Sequence, residues 1–197
     1  LMDQYTIAIG GLVHINTGKF VTFDRLSTTF DGLILAESGI PKKTLSVLGN
    51  LRGLATKSIE LVSEAIQGFN LEKATLADLG IYQKHLPENL QPYFHAAIKN
   101  HDITQKALQI FKSEPTNLEA LGSLMTEHHL VLKDILQVST PEIDVLIDAA
   151  LKAGAYGAKI VGSGGGGSIA AIVPKGKELE VCQAIKKAGA KNAYPVQ

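Results

Sequence analysis

Five of the six residues from Gly162 to Gly167 are glycine, within the stretch KIVGSGGGGSIAAIV (159–173). Glycine loses more backbone freedom on folding than any other residue, so such a run is retained where the chain needs conformations or approaches that a Cβ forbids. Short apolar runs flank it on both sides. This pattern sets a backbone-lined loop between two strands and rules out a helix through this part of the chain. Bare N–H groups in such a loop can turn inward, which is how glycine-rich loops hold phosphates. Gly162, Ser163, Gly164, Gly165, Gly166, Gly167 and Ser168 are therefore the candidate nucleotide or phosphate loop. It is not a Walker A loop: no Gly-Lys-Ser/Thr ends it, and a strand follows where a helix should. Nor is it a Rossmann fingerprint, because no strand–GxGxxG–helix order exists.

The periodicity on either side supplies the frame. Residues 11–15, 19–24 and 32–36 read as strands, the first two joined by a turn at Asn16-Thr17-Gly18, and a short helix over 3–9 precedes them. Leu45, Leu48, Leu51, Leu54, Ile59, Val62 and Ile66 recur at helical spacing through 41–69. Helical stretches over 73–86, 92–111 and 117–136 follow, separated by prolines. Thr140 and Pro141 mark a helix start, Ile143, Leu146, Ile147 and Ala150 give it one apolar face, and Gly154 stops it. A strand at 158–161, the glycine loop, a strand at 168–173, a helix at 176–188 and a strand at 192–196 close the chain. The expected architecture is α+β: a sheet with helices on one face and a helical insertion in the middle, all as one domain over 1–197.

Several function classes are disfavoured by composition. Nineteen basic and nineteen acidic residues balance, so bulk charge draws neither nucleic acid nor an anionic membrane as partner. No apolar run approaches the roughly 18 to 20 residues that span a bilayer. Cys182 is the single cysteine, which suits a reducing cytoplasm, and with Leu179 and Ile185 it reads as core, not nucleophile. His128 and His129 are adjacent and diverge by about 100° on a helix, so they cannot share one ion well. His95 and His101 are wrongly spaced for one face, and no metal site is expected. Lys159 reads as a solvated strand end, and Arg52 as a capping or pairing residue on its helix.

A family resemblance then enters through the residues themselves. GAYGAKIVGSGGGGSIAAIVP (154–174) resembles the third signature of the GHMP small-molecule kinases. Met2-Asp3-Gln4-Tyr5 is similar to the MDQF/Y segment of the galactokinases in that superfamily. LILAESGIPKKTLSVLGNLR (33–52), LGSLMTEHH (121–129) and LQVSTPEIDVLIDAAL (136–151) resemble further galactokinase stretches, in the same order along the chain. Two departures accompany these matches. The glycine motif reads Val161-Gly162-Ser163-Gly164 where galactokinases read TGGG. The family's sugar-contacting tyrosine falls on Gly49.

The resemblance implies a ferredoxin-like GHMP kinase C-terminal domain with a helical insertion, as the C-terminal half of an ATP-dependent sugar kinase. Asp3 is then the catalytic residue that accepts or orients the proton of the attacking hydroxyl. Asp3, Ser38 and Gly39 line the sugar site, and the glycine loop shapes the nucleotide phosphates. ATP and Mg2+ are the implied cofactors, and both need an N-terminal ATP-binding half that these residues do not contain. That half and a small-molecule sugar are the implied partners. An isolated half would expose its domain interface, a surface for homodimerisation. The expectation is that this fragment alone does not turn over ATP. Mevalonate kinase is the nearest enzymatic alternative, favoured by the tetraglycine and by Gly10-Gly11. A non-catalytic sugar-binding or regulatory remnant is the alternative from another class.

Overall fold

The computed structural model describes residues 2–17, 20–27, 31–42, 44–162 and 164–196; the side chains of residues 2, 3 and 44–49 lie outside the described set. Helix α1 (Met2–Ile9) leads into a hairpin of β1 (Leu12–Asn16) and β2 (Thr22–Leu26), paired Val13 to Arg25 and His14 to Asp24. This hairpin is a sheet of its own, separate from the larger sheet. The main sheet holds β3 (Leu33–Glu37), β4 (Gly157–Ile160), β5 (Ser168–Ile172) and β6 (Asn192–Pro195), in the order β4-β5-β3-β6 and antiparallel throughout.

In chain order the main sheet reads strand, helical crossover, strand, strand, helix, strand. The first of these strands lies between the third and the fourth. That is the ferredoxin-like topology, with the helical insertion inside the first crossover. Alternation drives it: Ile34, Ala36, Ala158, Ile160, Ile169 and Ala171 turn to one face and are fully buried. They pack against α6 (Pro141–Lys152) and α7 (Glu178–Lys187), which contribute Ile143, Leu146, Ile147, Ala150, Val181, Cys182 and Ile185. Thr140 caps α6 by accepting the Ile143 N–H at 3.4 Å, and Pro141 opens its first turn. Cys182 is core, as its sequence position suggests, and burial pushes its thiol up. Leu179 does not share that face; it is 70% exposed.

The insertion departs from the sequence reading in two places. α2 (Thr44–Ala65) and α4 (Gln91–Lys112) are long helices as expected, but 73–86 is not one helix. It breaks into 3₁₀ turns at Leu71–Lys73 and Leu76–Asp78 and a five-residue α3 (Leu79–Gln83). Local side-chain bonds win there: Asn70 accepts from Glu72 N–H at 2.8 Å and Thr75 Oγ1 donates to Asp78 at 2.6 Å. The pieces lay Leu71, Leu76, Leu79 and Tyr82 over Val62, Phe94 and Ile98. The second departure is 117–136, where α5 (Leu118–Leu130) gives way to a π-helical turn over Val131–Ile135.

α5 crosses β4 at very close range. A Cβ on Gly157 would stand 1.7 Å from the Gly122 carbonyl oxygen, so neither position tolerates a side chain. The Ala158 N–H, on the outer edge of β4, donates to Thr126 Oγ1 at 3.2 Å. The helix thus covers a sheet edge that would otherwise invite pairing. No described helix is long and apolar enough to cross a membrane.

Candidate functional site

The glycine loop joins β4 to β5, and the Val161 N–H closes its base on the Ser168 carbonyl at 2.9 Å. Every described glycine from 162 to 167 except Gly165 lies between φ 72° and 118°, and Gly165 itself sits at 71°, all in the left-handed region. A Cβ on Gly164 would also fall 2.4 Å from the Val138 carbonyl oxygen. Ser163 lies outside the described residues.

Two segments distant in sequence grip the loop. On one side the Gly165 N–H donates to Val138 O at 2.7 Å. On the other, Gly167 N–H donates to Ile40 O at 2.9 Å. The Gly167 carbonyl accepts the Ser38 N–H at 2.8 Å and the Ser38 hydroxyl at 2.6 Å. Ser38 Oγ further accepts the Ile40 N–H at 3.1 Å. Alternate loop amides are therefore committed to the chain. Among the described residues, the N–H groups of Gly164 and Gly166 have no acceptor, although both residues are buried. A buried N–H without an acceptor is rare and costly, and an anionic oxygen satisfies it.

Two lysines stand beside the loop. Lys42, which the sequence reading passed over, donates its ammonium to Val161 O at 3.1 Å, 3.2 Å from where a Gly162 Cβ would be. Lys159 is not the solvated strand end expected of it. Its Nζ donates to Ile160 O at 2.7 Å; burial, and then the charge of Lys42, lower its pKa. Among the described residues neither lysine has a carboxylate partner. α2 begins at Thr44, two residues past Lys42, which sets the positive end of a long helix dipole at the same place. Behind β4, burial and then the charge of Lys159 push His128 down to about 4.

A cavity of about 270 Å³ opens against Gly162. Leu51, Leu136 and Val138 give it a mainly apolar wall, with Arg52, Tyr93 and Asn100 as its polar groups. Arg52 thus lines a cavity; its sequence assignment was to a cap or ion pair. The Asn100 Oδ1 atom is buried without a hydrogen-bond partner. Ser38 lines a different cavity of about 230 Å³ with Glu142 and Gly189, and Gly39 is exposed beside Lys191. A wider opening of about 640 Å³ between β1 and the insertion, lined by His14, Glu72 and His101, touches none of the loop residues. Asp3 lies in the first turn of α1, with its side chain outside the described set.

The sheet order, the loop between its strands and the sequence signature converge with the comparisons. Residues 104–191 match the family model described as GHMP kinases C terminal. The galactokinase of Lactococcus lactis, solved with galactose, superposes with a TM-score of 0.75 at 20% identity, over 91% of this chain and 48% of that one. The fold is that of a GHMP kinase C-terminal domain.

The relatives that this chain resembles divide between two activities. The mevalonate kinase of Pyrococcus abyssi is 40% identical over 188 residues, 95% of this chain and 46% of the relative. The galactokinase of Mycobacterium bovis is 29% identical over 100 residues, 51% of this chain and 27% of the relative. The chain spans about half the length of the mevalonate kinases it matches, or less.

Proposed function

We propose that this chain is the C-terminal half of an ATP-dependent small-molecule kinase, and that the glycine loop receives the phosphates. One observation carries the reading: among the described residues, the Gly164 and Gly166 amides lack acceptors in the loop beside Lys42 and Lys159, which lack carboxylate partners. Amides without acceptors, beside cations that bond only to backbone carbonyls and to no carboxylate among the described residues, fit an anion. Phosphoryl transfer asks a protein chiefly for positioning and charge neutralisation. The loop, Lys42 and the start of α2 offer both. Asp3, by its motif, accepts or orients the proton of the attacking hydroxyl, and general-base help of that kind is worth roughly 10²- to 10⁴-fold. Magnesium would ride on the ATP phosphates, since among the described residues no three His, Cys, Asp or Glu side chains gather to hold an ion. The N-terminal half of the relatives supplies the remainder of the nucleotide site.

For the acceptor, the sequence motifs favour a galactokinase-like enzyme, and two observations favour a mevalonate-type substrate. The mevalonate kinase alignment extends over 95% of the chain, against 51% for the galactokinase. The cavity beside Gly162 is mainly apolar, with one guanidinium at its wall and one unsatisfied amide oxygen. A sugar carries a hydroxyl on nearly every carbon and would strand them against Leu51, Leu136 and Val138. A short branched acid with one hydroxyl fits that lining, with the Arg52 guanidinium at the wall to meet its carboxylate. The test is ADP release from Mg-ATP by the enzyme carrying this chain, with mevalonate and with galactose. Turnover with mevalonate supports the second reading, turnover with galactose the first. Turnover with neither, in a preparation that binds no ATP, sinks the kinase proposal.

A further inference from the structure

The hold of Val138 on the glycine loop does not end at Val138. The connector 136–140 carries a left-handed Gln137 at φ 54° and is tied down by a cluster the kinase reading leaves unused. At its centre is Asp144, in the first turn of α6. Asp144 Oδ1 accepts the Ser139 hydroxyl at 2.6 Å and lies 3.3 Å from His129 Nε2; Oδ2 lies 3.0 Å from Lys133 Nζ. His129 is 3% exposed and its Nδ1 is buried with no partner, so the neutral ring carries its proton on Nε2, toward Asp144. One carboxylate therefore joins α5, the π-helical turn and the connector to α6. Ser139 follows directly on Val138, whose own N–H donates to Leu132 O at 2.9 Å and whose carbonyl receives Gly165.

We propose that Asp144 is a positioning residue for the glycine loop: through Ser139 it fixes the Val138 carbonyl, and through that carbonyl the course of Gly164 to Gly166. It touches neither nucleotide nor acceptor. Its effect is to keep the two unpartnered amides aimed while the loop's own glycines offer no stiffness. The importance of this for catalysis rests on the phosphate reading of the loop; the mechanical coupling does not.

The test is amide hydrogen exchange of Gly165, followed by NMR in the purified chain, with α4 amides as the internal reference. In Asp144→Ala, Gly165 protection is expected to fall about tenfold while α4 stays unchanged. Asp144→Asn keeps an oxygen for Ser139 and is expected to restore protection to within about threefold of the wild type. If Asp144→Ala does not fold, Ser139→Ala removes only the hydroxyl bridge and is expected to loosen Gly165 in the same direction. Unchanged Gly165 exchange in a folded Asp144→Ala or Ser139→Ala chain overturns the proposal. The two readings separate in the KM for ATP of the enzyme carrying this chain. If Gly165 loosens and that KM does not move, the coupling stands and the phosphate reading fails. If Gly166→Ala raises the KM but Gly165 exchange ignores Asp144, the phosphate reading stands and this inference fails.

Discussion

Each of the side chains and amides around the loop carries a distinct expectation. Lys42→Ala removes a cation held against Val161 and Gly162, and should raise the KM for ATP about tenfold or more, the scale of one charge-assisted hydrogen bond. Steady-state kinetics with Mg-ATP checks it. Gly164→Ala forces a Cβ to within 2.4 Å of Val138 O on a left-handed backbone, and should cost about 2–4 kcal/mol in urea unfolding. His128 gives a pH signature. Its folded pKa is about 4 against an ordinary 6.5, set first by burial and then by Lys159. Between those values the unfolded chain binds the extra proton. The contribution is therefore intact above pH 6.5 and falls away as pH drops toward 4, by about 3 kcal/mol. Thermal unfolding between pH 7 and 4.5 should show a steeper loss in the wild type than in His128→Gln. At this scale the sequence made the loop legible because five glycines in six residues leave few alternatives. It left Lys42 invisible, since 119 residues separate it from the carbonyl it holds and no local spacing links them. Ser38, expected at the sugar site, donates its hydroxyl to the Gly167 carbonyl.

Among the elements, strands and helices with strong periodicity were legible, and those decided by contact were not. Thr140-Pro141 announces α6 because capping is a local matter, and the β4–loop–β5–α7–β6 run follows from alternation and one glycine break. The 73–86 segment reads as a helix, yet Asn70 and Thr75 bond their own neighbours and divert the chain from 71 to 83 into short turns. The pairing of β3 between β5 and β6 came only with the ferredoxin-like resemblance, because register between segments so distant in the chain is set by the buried face and not by any local signal. Gly122 and Gly157 look ordinary in sequence and are tightly constrained in the fold. Gly157→Ala should push α5 off β4, costing about 3 kcal/mol or more and loosening the Ala158–Thr126 bond that covers the sheet edge. Chemical denaturation of Gly157→Ala beside Gly154→Ala, whose Cβ meets nothing within 4 Å, separates close approach from backbone strain.

Taken whole, the molecule is a ferredoxin-like sheet whose loop, lysines and helix start lie together, in the arrangement proposed as one wall of a phosphate site. It accounts for 46% of a mevalonate kinase in length, and the catalytic account needs the other half. On the proposed reading, this chain supplies position and electrostatics, and an N-terminal half supplies the main nucleotide cradle of a phosphoryl-transfer site. The most direct test is the initial rate of ADP release from Mg-ATP by the enzyme carrying this chain, wild type and Asp3→Asn, with mevalonate and with galactose as acceptors. The account predicts turnover that depends on mevalonate and falls at least about 10²-fold in Asp3→Asn, with ATP binding retained. Acceptor-independent ADP release, or full activity in Asp3→Asn, would contradict it.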